Sequence, residues 1–580
     1  MEDWTTSEGT FLSWDDTSLF YRSWKPAMTS DRAVIIIHRG HEHSGRVASQ
    51  VEGLGLTGFW AFSWDNRGHG QSPGERGHAD SYYHLVRDLD AFVRHVSEQY
   101  GIPVENIAVV ANSVGAVTAS AWVHDYAPRI RALVLAAPAF RIRLYVPLAI
   151  PLLRLLLKIK GKAFVSSYVK SKMLTHDAEA AFDYDADRLI TKEIAVNILL
   201  EMHDTATRII EDAAAITTPT LVLSAGSDWV VKNAAQRQFY RRLGSTKKRM
   251  EAYPGFFHAL LNEKERQRPL THAREFILEA FDREIDRSAL LEADRGGPTR
   301  TEYDLLRQST TWPSALFYAI QKLGMQTIGR MSDGIRLGWR TGFDSGQSLD
   351  YVYENRPRGL GFPGKFLDRN YLNAIGWKGI RHRRENLEKL LTETIERISA
   401  SGEPVSLLDV ATGCGRYVLN VLKVNGHREI SALLRDFTPA NLDQGRALAA
   451  EMGLENVRFE QGDAFDPDSI RAVGPRPNLA IVSGLYELFP DNGMVCASLK
   501  GIADVMEPGG YLLYTGQPWH PQVDMIARVL SNRDGDPWIM RRRSQAEMDE
   551  LVRAVGFEKI AMEVDQWGIF TVSVARRAAN

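Results

Sequence analysis

Three residues in one order could carry acyl transfer. Ser113 stands in "VVANSVGAV" (109–117), where an aliphatic run gives way to a helix start. A serine between small residues two before and two after it suits a strained strand-to-helix turn that exposes its Oγ. The usual pattern has glycine at both places; here Ala111 takes the first and Gly115 the second. The stretch alone serves a nucleophile or a helix N-cap equally well. An acid and then a histidine should follow a nucleophile of this kind, each just past a strand. Asp228 follows "PTLVLSAGS" and His258 lies in "YPGFFHALLNE", in that order. His258 would take the Ser113 proton, and Asp228 would fix the imidazole tautomer and stabilise the imidazolium. The developing oxyanion would meet the Val114 N–H and a second N–H from the loop "HRGHEHSGRV".

A second group of residues is built to hold a ligand. "VSLLDVATGCGRYVL" (405–419) reads as a strand, a glycine turn and a helix start. Such a turn lets backbone N–H groups and a helix N-terminus approach a bound molecule. Gly413 and Gly415 are in place, but Val418 stands where a dinucleotide fingerprint needs its third glycine. Asp409 precedes the turn, where it would face a cationic or hydroxylated ligand instead of a pyrophosphate.

The elements that position these residues follow from aliphatic runs bounded by turn residues. "AVIIIH", "FWAFSWD", "NIAVVA", "RALVLAA" and "PTLVLSA" suit strands buried on both faces of a parallel sheet. "YYHLVRDLDAFVRHVSEQY" (82–100) is helical between them, so residues 1–283 read as a doubly wound α/β domain with an insertion at about 141–213. Residues 284–365, with "DRGGPTRTEYD" and "RPRGLGFPGK", read as linker and helical extension. A helical run from 366 then leads into a second βαβ series that fills 366–580, ending in "GFEKIAMEVDQWGIFTVSVARR" as final antiparallel strands.

Composition excludes several classes. Apolar content of 44%, charged content of 24% and a formal net charge of −2 are ordinary for a globular chain and give no pull toward nucleic acid. "RHRR" (381–384) and "RRR" (541–543) are expected to be solvated helix faces. Two distant cysteines offer neither a disulfide framework nor metal-ligand spacing. No secretory signal and no apolar run of spanning length is present, so a cytoplasmic location is expected.

The first half resembles the monoacylglycerol lipase and lysophospholipase branch of the α/β hydrolases. The likeness rests on "HRGHEHSGR", "DNRGHGQSPGERGH", the serine elbow, "GSDWVV", "YPGFFHALLNE" and a lid-like "MLTHDAEAAFDYDADRLI". It implies an α/β-hydrolase fold with a helical lid, cleavage of a lipid-like ester, and the Gly40 N–H as second oxyanion donor, although Arg39 stands where that branch has glycine. The second half resembles class I S-adenosylmethionine-dependent methyltransferases, a Rossmann-like fold, with Ala411 at the first glycine of motif I. The resemblance implies S-adenosylmethionine as cofactor. Asp436 would meet the ribose hydroxyls, Asp463 the adenine amine, and Ser483 with Gly484 the methyl-donor end. Tyr486, Glu487 and His520 are candidates near the unidentified acceptor.

The whole chain thus resembles fusions of a hydrolase with a methyltransferase. The alternatives are an acyltransferase in place of the hydrolase, a lapsed hydrolase serving as a binding module, or a second half that binds the cofactor only as a regulator. "LYVPLAIPLLRLLLKIKGKAF" (144–164) is too short and too interrupted to span a bilayer; it suits equally a lid that covers an acyl chain or dips peripherally into a membrane interface, and an ordinary cap helix packed on the core.

Overall fold

The computed structural model describes residues 4–578, which fall into two compact units, one running to Asp286 and the other starting at Arg287. In the first unit the aliphatic runs become strands because only a sheet satisfies their backbone while hiding both faces. The strands are β1 (Trp4–Leu12), β2 (Ser18–Pro26), β3 (Ala33–Ile37), β4 (Trp60–Trp64), β5 (Ile107–Asn112), β6 (Ala132–Ala136), β7 (Phe164–Ser166), β8 (Glu193–Ala195), β9 (Thr220–Ala225) and β10 (Lys248–Tyr253). Eight of them form one sheet in the order β1-β2-β4-β3-β5-β6-β9-β10. β1, β2 and β4 pair antiparallel and the rest of the sheet is parallel. β5, which delivers Ser113, is buried along its whole length near the middle.

Helices α1 (Ala48–Leu54), α2 (Tyr82–Tyr100), α3 (Val114–Asp125), α4 (Ala149–Lys160), α5 (Ala178–Ala186), α6 (Val196–Glu211), α7 (Asn233–Arg242) and α8 (Gln267–Phe281) complete the unit. α2 starts where the Ser81 hydroxyl accepts from the Tyr83 N–H and stops at Gly101 in the left-handed region. The insertion between β6 and β9 holds α4, the β7–β8 ribbon, α5 and α6. α6 is pinned to α3 by a buried ionic cluster. Arg208 Nη2 donates to Asp125 Oδ2 at 2.8 Å, and His124 bridges Asp125 at 2.6 Å and Asp212 at 2.7 Å. Both carboxylates and the arginine are buried, so removing one member would strand a charge.

The second unit carries β11 (Val405–Asp409), β12 (Ile430–Asp436), β13 (Val457–Gln461), β14 (Leu479–Val482), β15 (Tyr511–Gly516), β16 (Phe557–Val564) and β17 (Thr571–Arg577). Their order is β13-β12-β11-β14-β15-β17-β16, with β17 antiparallel to both neighbours. The order reverses between β11 and β14, and a sheet of this kind binds ligands beyond the carboxyl ends of its strands at that point.

Residues 284–365 are largely helical. They form α9 (Ala293–Gly296), α10 (Pro298–Arg307), α11 (Trp312–Gln326), α12 (Asp333–Thr341), α13 (Gly346–Glu354) and the start of α14 (Gly361–Leu372). Their prolines and glycines punctuate helices instead of loosening the chain: Pro298 occupies the first turn of α10, where no N–H is needed. Phe343, Tyr351 and Val352 join Trp377, Ile526 and Phe570 in one apolar cluster. The helical run from 366 splits at Asn373 into α14 and α15 (Ile375–Ala400).

"RRR" is not the solvated helix face expected of it. Arg541, Arg542 and Arg543 are buried in a non-helical segment, with Arg541 only 1% exposed. Arg541 pairs with Glu547 at 2.7 Å, and Arg543 Nη2 donates to the Phe489 carbonyl at 2.8 Å. These are cross-braces for the loop after β14, a role that the charge run alone does not announce. In "RHRR", Arg383 is likewise buried, while Arg381, His382 and Arg384 are partly exposed.

Candidate functional site

Ser113 sits between β5 and α3 with φ 53° and ψ −109°, a backbone strain held by its surroundings. Its N–H donates to the Ala136 carbonyl at 2.9 Å, and its carbonyl accepts from the Ala139 N–H at 3.0 Å. Gly115 is required here, because a Cβ would lie 2.6 Å from Ile37 Cγ2 and 2.8 Å from the His38 carbonyl oxygen. The loops after β9 and β10 bring Asp228 and His258 to the same point. His258 Nε2 lies 2.7 Å from Ser113 Oγ, and His258 Nδ1 lies 2.9 Å from Asp228 Oδ2. The other Asp228 oxygen accepts from the Val230 and Val231 N–H groups at 2.8 and 2.9 Å. Burial pushes the Asp228 carboxyl upward, but His258 and these two amides outweigh it and hold it below the usual carboxylate range. A buried aspartate that stays ionised fixes the proton of the neutral ring on Nδ1 and leaves Nε2 to accept from the serine hydroxyl.

Gly40 and Val114 face each other beside Ser113: a Cβ on Gly40 would come within 2.9 Å of Val114 Cγ2. Val114 opens α3, so its N–H is one of that helix's unpaired first donors. Arg39 lines the cavity in front of Ser113. Its guanidinium turns to Glu42, donating from Nε to Oε2 at 3.0 Å, and Glu42 also pairs with Arg46 at 3.3 Å. The His38 ring, kept neutral by burial, donates from Nδ1 to the Arg39 carbonyl at 2.7 Å and so braces the loop. Ser113, His258, Gly40 and Val114 all border a cavity of about 420 Å³. Its walls are mostly apolar and come from the insertion, including Leu144, Leu152, Ile194, Ile198 and Met202. From "LAIPLLRLLLKIK", Leu152 and Leu153 border the cavity, and Leu152 stays exposed along with Leu148, Leu155 and Ile159.

In the second unit a cavity of about 380 Å³ lies at the switch point. Ala411, Gly413, Gly415, Asp436, Asp463 and Ser483 all line it. Gly413 has φ 59°, and a Cβ there would meet no protein atom within 4 Å, so it would project into open space at the cavity wall. Its N–H donates to Asp436 Oδ2 at 2.9 Å. The other Asp436 oxygen accepts from the Thr438 N–H at 2.9 Å and Asn441 Nδ2 at 3.0 Å, which orients the carboxylate and leaves lone pairs for a ligand. Asp463 Oδ1 accepts from the Phe465 N–H at 2.8 Å.

Asp409 corrects the expectation placed on it. It is wholly buried and does not border the cavity; it accepts from the Ala411 N–H at 3.2 Å and from the Tyr417 hydroxyl. Burial pushes its carboxyl up to about 7. Asp409 therefore holds the glycine loop from beneath instead of meeting a ligand. Tyr486 is also turned inward, with its hydroxyl on Ser498 at 3.0 Å.

Several lining residues were not singled out from the sequence. Asp350 and Tyr353 reach the cavity from α13, which Arg416 Nη2 ties over the glycine loop through Asp350 Oδ2 at 2.7 Å. Only tertiary packing reveals them. Phe437 and Phe465 also line it, and both had a signal: each follows a strand-end aspartate within two residues. A second, mostly apolar chamber of about 320 Å³ shares Asp344, Leu349, Arg383 and Gly484 with this cavity. Glu487 and His520 line that chamber. Among the described residues there is no cluster of ligands able to hold a metal ion.

Residues 29–265 match the family described as "Serine aminopeptidase, S33", and residues 273–577 match the one described as "Putative methyltransferase". A monoacylglycerol lipase of Mycolicibacterium smegmatis is 28% identical over 284 residues, covering 47% of this chain and 98% of the relative. The crystal structure of a Paleococcus ferrophilus monoacylglycerol lipase aligns with 45% of this chain and 99% of its own, at 22% identity and a TM-score of 0.41. The "Uncharacterized protein YnbC" of Escherichia coli (strain K12) is 47% identical over 576 residues, 98% of each chain. With more than half of its length matched and a relative aligned across both units, the chain belongs to this "Putative methyltransferase" family, in a form that carries an α/β-hydrolase domain ahead of it.

Proposed function

We propose that the chain is a two-activity enzyme, a serine hydrolase of lipid-like acyl esters joined to an S-adenosylmethionine-dependent methyltransferase. The observation that carries the first activity is the continuous hydrogen-bond chain from Ser113 through His258 to Asp228 on the wall of an apolar cavity. Ser113 Oγ attacks the ester carbonyl as its proton passes to His258 Nε2, and the oxyanion is met by the Gly40 and Val114 N–H groups. His258 returns the proton to the leaving alcohol; water then releases the acid from the acyl-serine by the same steps in reverse. An apolar cavity favours a hydrocarbon acyl chain over a charged peptide.

For the second activity, the cavity's glycine loop, oriented Asp436 carboxylate and aromatic neighbours fit an adenosine-bearing cofactor. Gly413 and Gly415 would admit it to the backbone, Asp436 would accept from ribose hydroxyls, and Asp463 and Ser483 would flank its two ends. S-adenosylmethionine supplies an electrophilic methyl group on a sulfonium. The chain's part is positioning and exclusion of water, worth a large share of such a barrier.

The test treats the purified chain with a fluorophosphonate probe and, separately, titrates it with S-adenosylhomocysteine by calorimetry. One covalent adduct and one binding event per chain are expected. No adduct would leave the first unit as a binding module, and no heat would remove the cofactor reading. Turnover with added glycerol would expose an acyltransferase through transfer products.

The substrate is taken, in this reading, from a membrane surface touched by α4. No helix among the described residues is long and apolar enough to cross a membrane. α4 instead exposes Leu155 and Ile159 with Lys158 and Lys160 beside them, the pattern of an interfacial helix. In liposome flotation, the double change Leu155→Glu, Ile159→Glu is expected to cut the bound fraction roughly fivefold. Equal flotation of both proteins would remove the membrane contact.

A further inference from the structure

The apolar chamber beside the cofactor cavity states what the methyl acceptor must look like. Its body is lined by side chains such as Ile335, Trp377, Ile380, Met525, Trp538 and Phe570. A molecule that fills it must bury hydrocarbon, since water-loving groups there would lose their hydration without partners. The chamber meets the cofactor cavity at Asp344, Leu349, Arg383 and Gly484. α11 and α14, which line the chamber with Met325 and Leu367, are themselves unusually apolar outside. Trp312 is 77% and Phe362 84% exposed, and Leu316, Phe317, Ile320 and Leu323 are exposed too. Such a surface suits an entry path for a ligand drawn from a hydrocarbon phase.

The polar end of the chamber is sparse and specific. Arg383 is neutralised by Glu487 at 3.3 Å and covered by the Phe570 ring, so it offers no spare charge to an anionic head. Asp344 Oδ1 and Gln517 Nε2 are buried with no hydrogen-bond partner among the described residues. The Asp344 side chain is only 7% exposed, and its other oxygen meets Arg533 Nε at 3.4 Å. His520 Nδ1 accepts from the Gln522 N–H at 3.0 Å, which leaves the ring proton on Nε2. Trp538 Nε1, on the same lining, is buried without a partner too, so the orphans are one acceptor and two donors, which cost free energy until a ligand supplies the complement. A hydroxyl, with one proton and two lone pairs, is of that kind.

Resting on the methyltransferase reading, we propose that the acceptor is a hydrophobic alcohol or phenol, methylated on oxygen. The hydrocarbon body would fill the chamber, and the hydroxyl would donate to Asp344 Oδ1 where the chamber meets the cofactor cavity. In transfer, the acceptor's O–H bond breaks and an O–CH3 bond forms as the methyl–sulfur bond breaks; the proton passes to Asp344 Oδ1 and a neutral thioether leaves. Burial raises the Asp344 carboxyl above its ordinary range, which suits it to keep that proton.

The test is photolabelling of the full chain, saturated with S-adenosylhomocysteine, by a long-chain alcohol bearing a diazirine, followed by peptide mapping. Labels are expected within 325–380 and 517–540, displaced by excess 1-dodecanol at about tenfold lower concentration than by dodecylamine, dodecanoic acid or 1-methoxydodecane. Met525→Trp, which fills the chamber, should cut this labelling about tenfold while leaving S-adenosylhomocysteine titration unchanged; Leu367→Trp serves if Met525→Trp does not fold. Asp344→Ala should keep the labelling but erase the preference for 1-dodecanol over its methyl ether. Normal S-adenosylhomocysteine binding with no label in the chamber would overturn the acceptor class and leave the methyltransferase reading intact. Better displacement by the amine or the acid would overturn the hydroxyl. Chamber labelling without any S-adenosylhomocysteine binding would uphold the ligand class and overturn the methyltransferase reading instead.

Discussion

Ser113→Ala is expected to abolish fluorophosphonate labelling and to lower ester turnover by roughly 10⁶-fold, about 8 kcal/mol of transition-state stabilisation. The size follows from the hydrogen-bond chain acting as a unit. Without Oγ, His258 has no proton to take and Asp228 has no imidazolium to stabilise. The residual rate comes from the oxyanion N–H groups and binding alone. The substitution also isolates chemistry from folding. The strained backbone at position 113 is held by Ala136 and Ala139, neither of which touches the hydroxyl. Alanine inherits that strain, and the fold loses one side-chain hydrogen bond worth about 1 kcal/mol. Asp228→Asn should cost less, roughly 10⁴-fold, because serine and histidine remain but the ring tautomer is no longer enforced. Stopped assays on a monoacylglycerol series, beside thermal unfolding of each variant, would measure both. A Ser113→Ala protein that still hydrolyses esters at the wild-type rate would sink the serine mechanism.

What the sequence made legible was whatever local chemistry dictates. The elbow needs small residues, and the spacing of Ser113, Asp228 and His258 past aliphatic runs is visible without coordinates. The strands that deliver the glycine loop and its acids are equally plain, because runs such as "VSLLDV" hide on both faces. Asp409 misled for a physical reason. Its position before the loop is right for a ligand-facing acid, but Tyr417, in the first turn of α16 (Arg416–Val424), donates its hydroxyl to it. In residues 284–365 glycine and proline mark helix ends as readily as linkers, so composition alone does not divide linker from helical extension. Asp344, Asp350 and Tyr353 belong to that same segment and reach their cavities only through packing of α12 and α13 against the second sheet's neighbours. No periodicity announces them. Arg541 shows the converse, since a triple arginine reads as solvated until Glu547 is seen beside it.

Gly413→Val should cost the cofactor roughly a hundredfold or more in affinity, about 2.7 kcal/mol, and leave the hydrolase untouched. Two effects combine at this position. Valine resists φ 59°, a penalty of about 1–3 kcal/mol charged to folding. Its side chain would then enter the cavity, because no protein atom lies within 4 Å of the Cβ position to turn it aside. The first effect is general and the second is specific to binding. Gly402→Val separates them. Gly402 has φ 82°, also finds no atom within 4 Å, and lies in the exposed turn before β11, away from the cavity. Both variants should lower the unfolding midpoint of the second unit by similar amounts, but only Gly413→Val should lose S-adenosylhomocysteine binding in calorimetry. If affinity falls equally in both, backbone strain transmitted through β11 accounts for the loss and the cradle does not. If Gly413→Val binds as the wild type does, the adenosine moiety does not lie over this loop. The Asp436 carboxylate, already committed to the Gly413 N–H, would then be a brace for the turn and not a ligand to ribose.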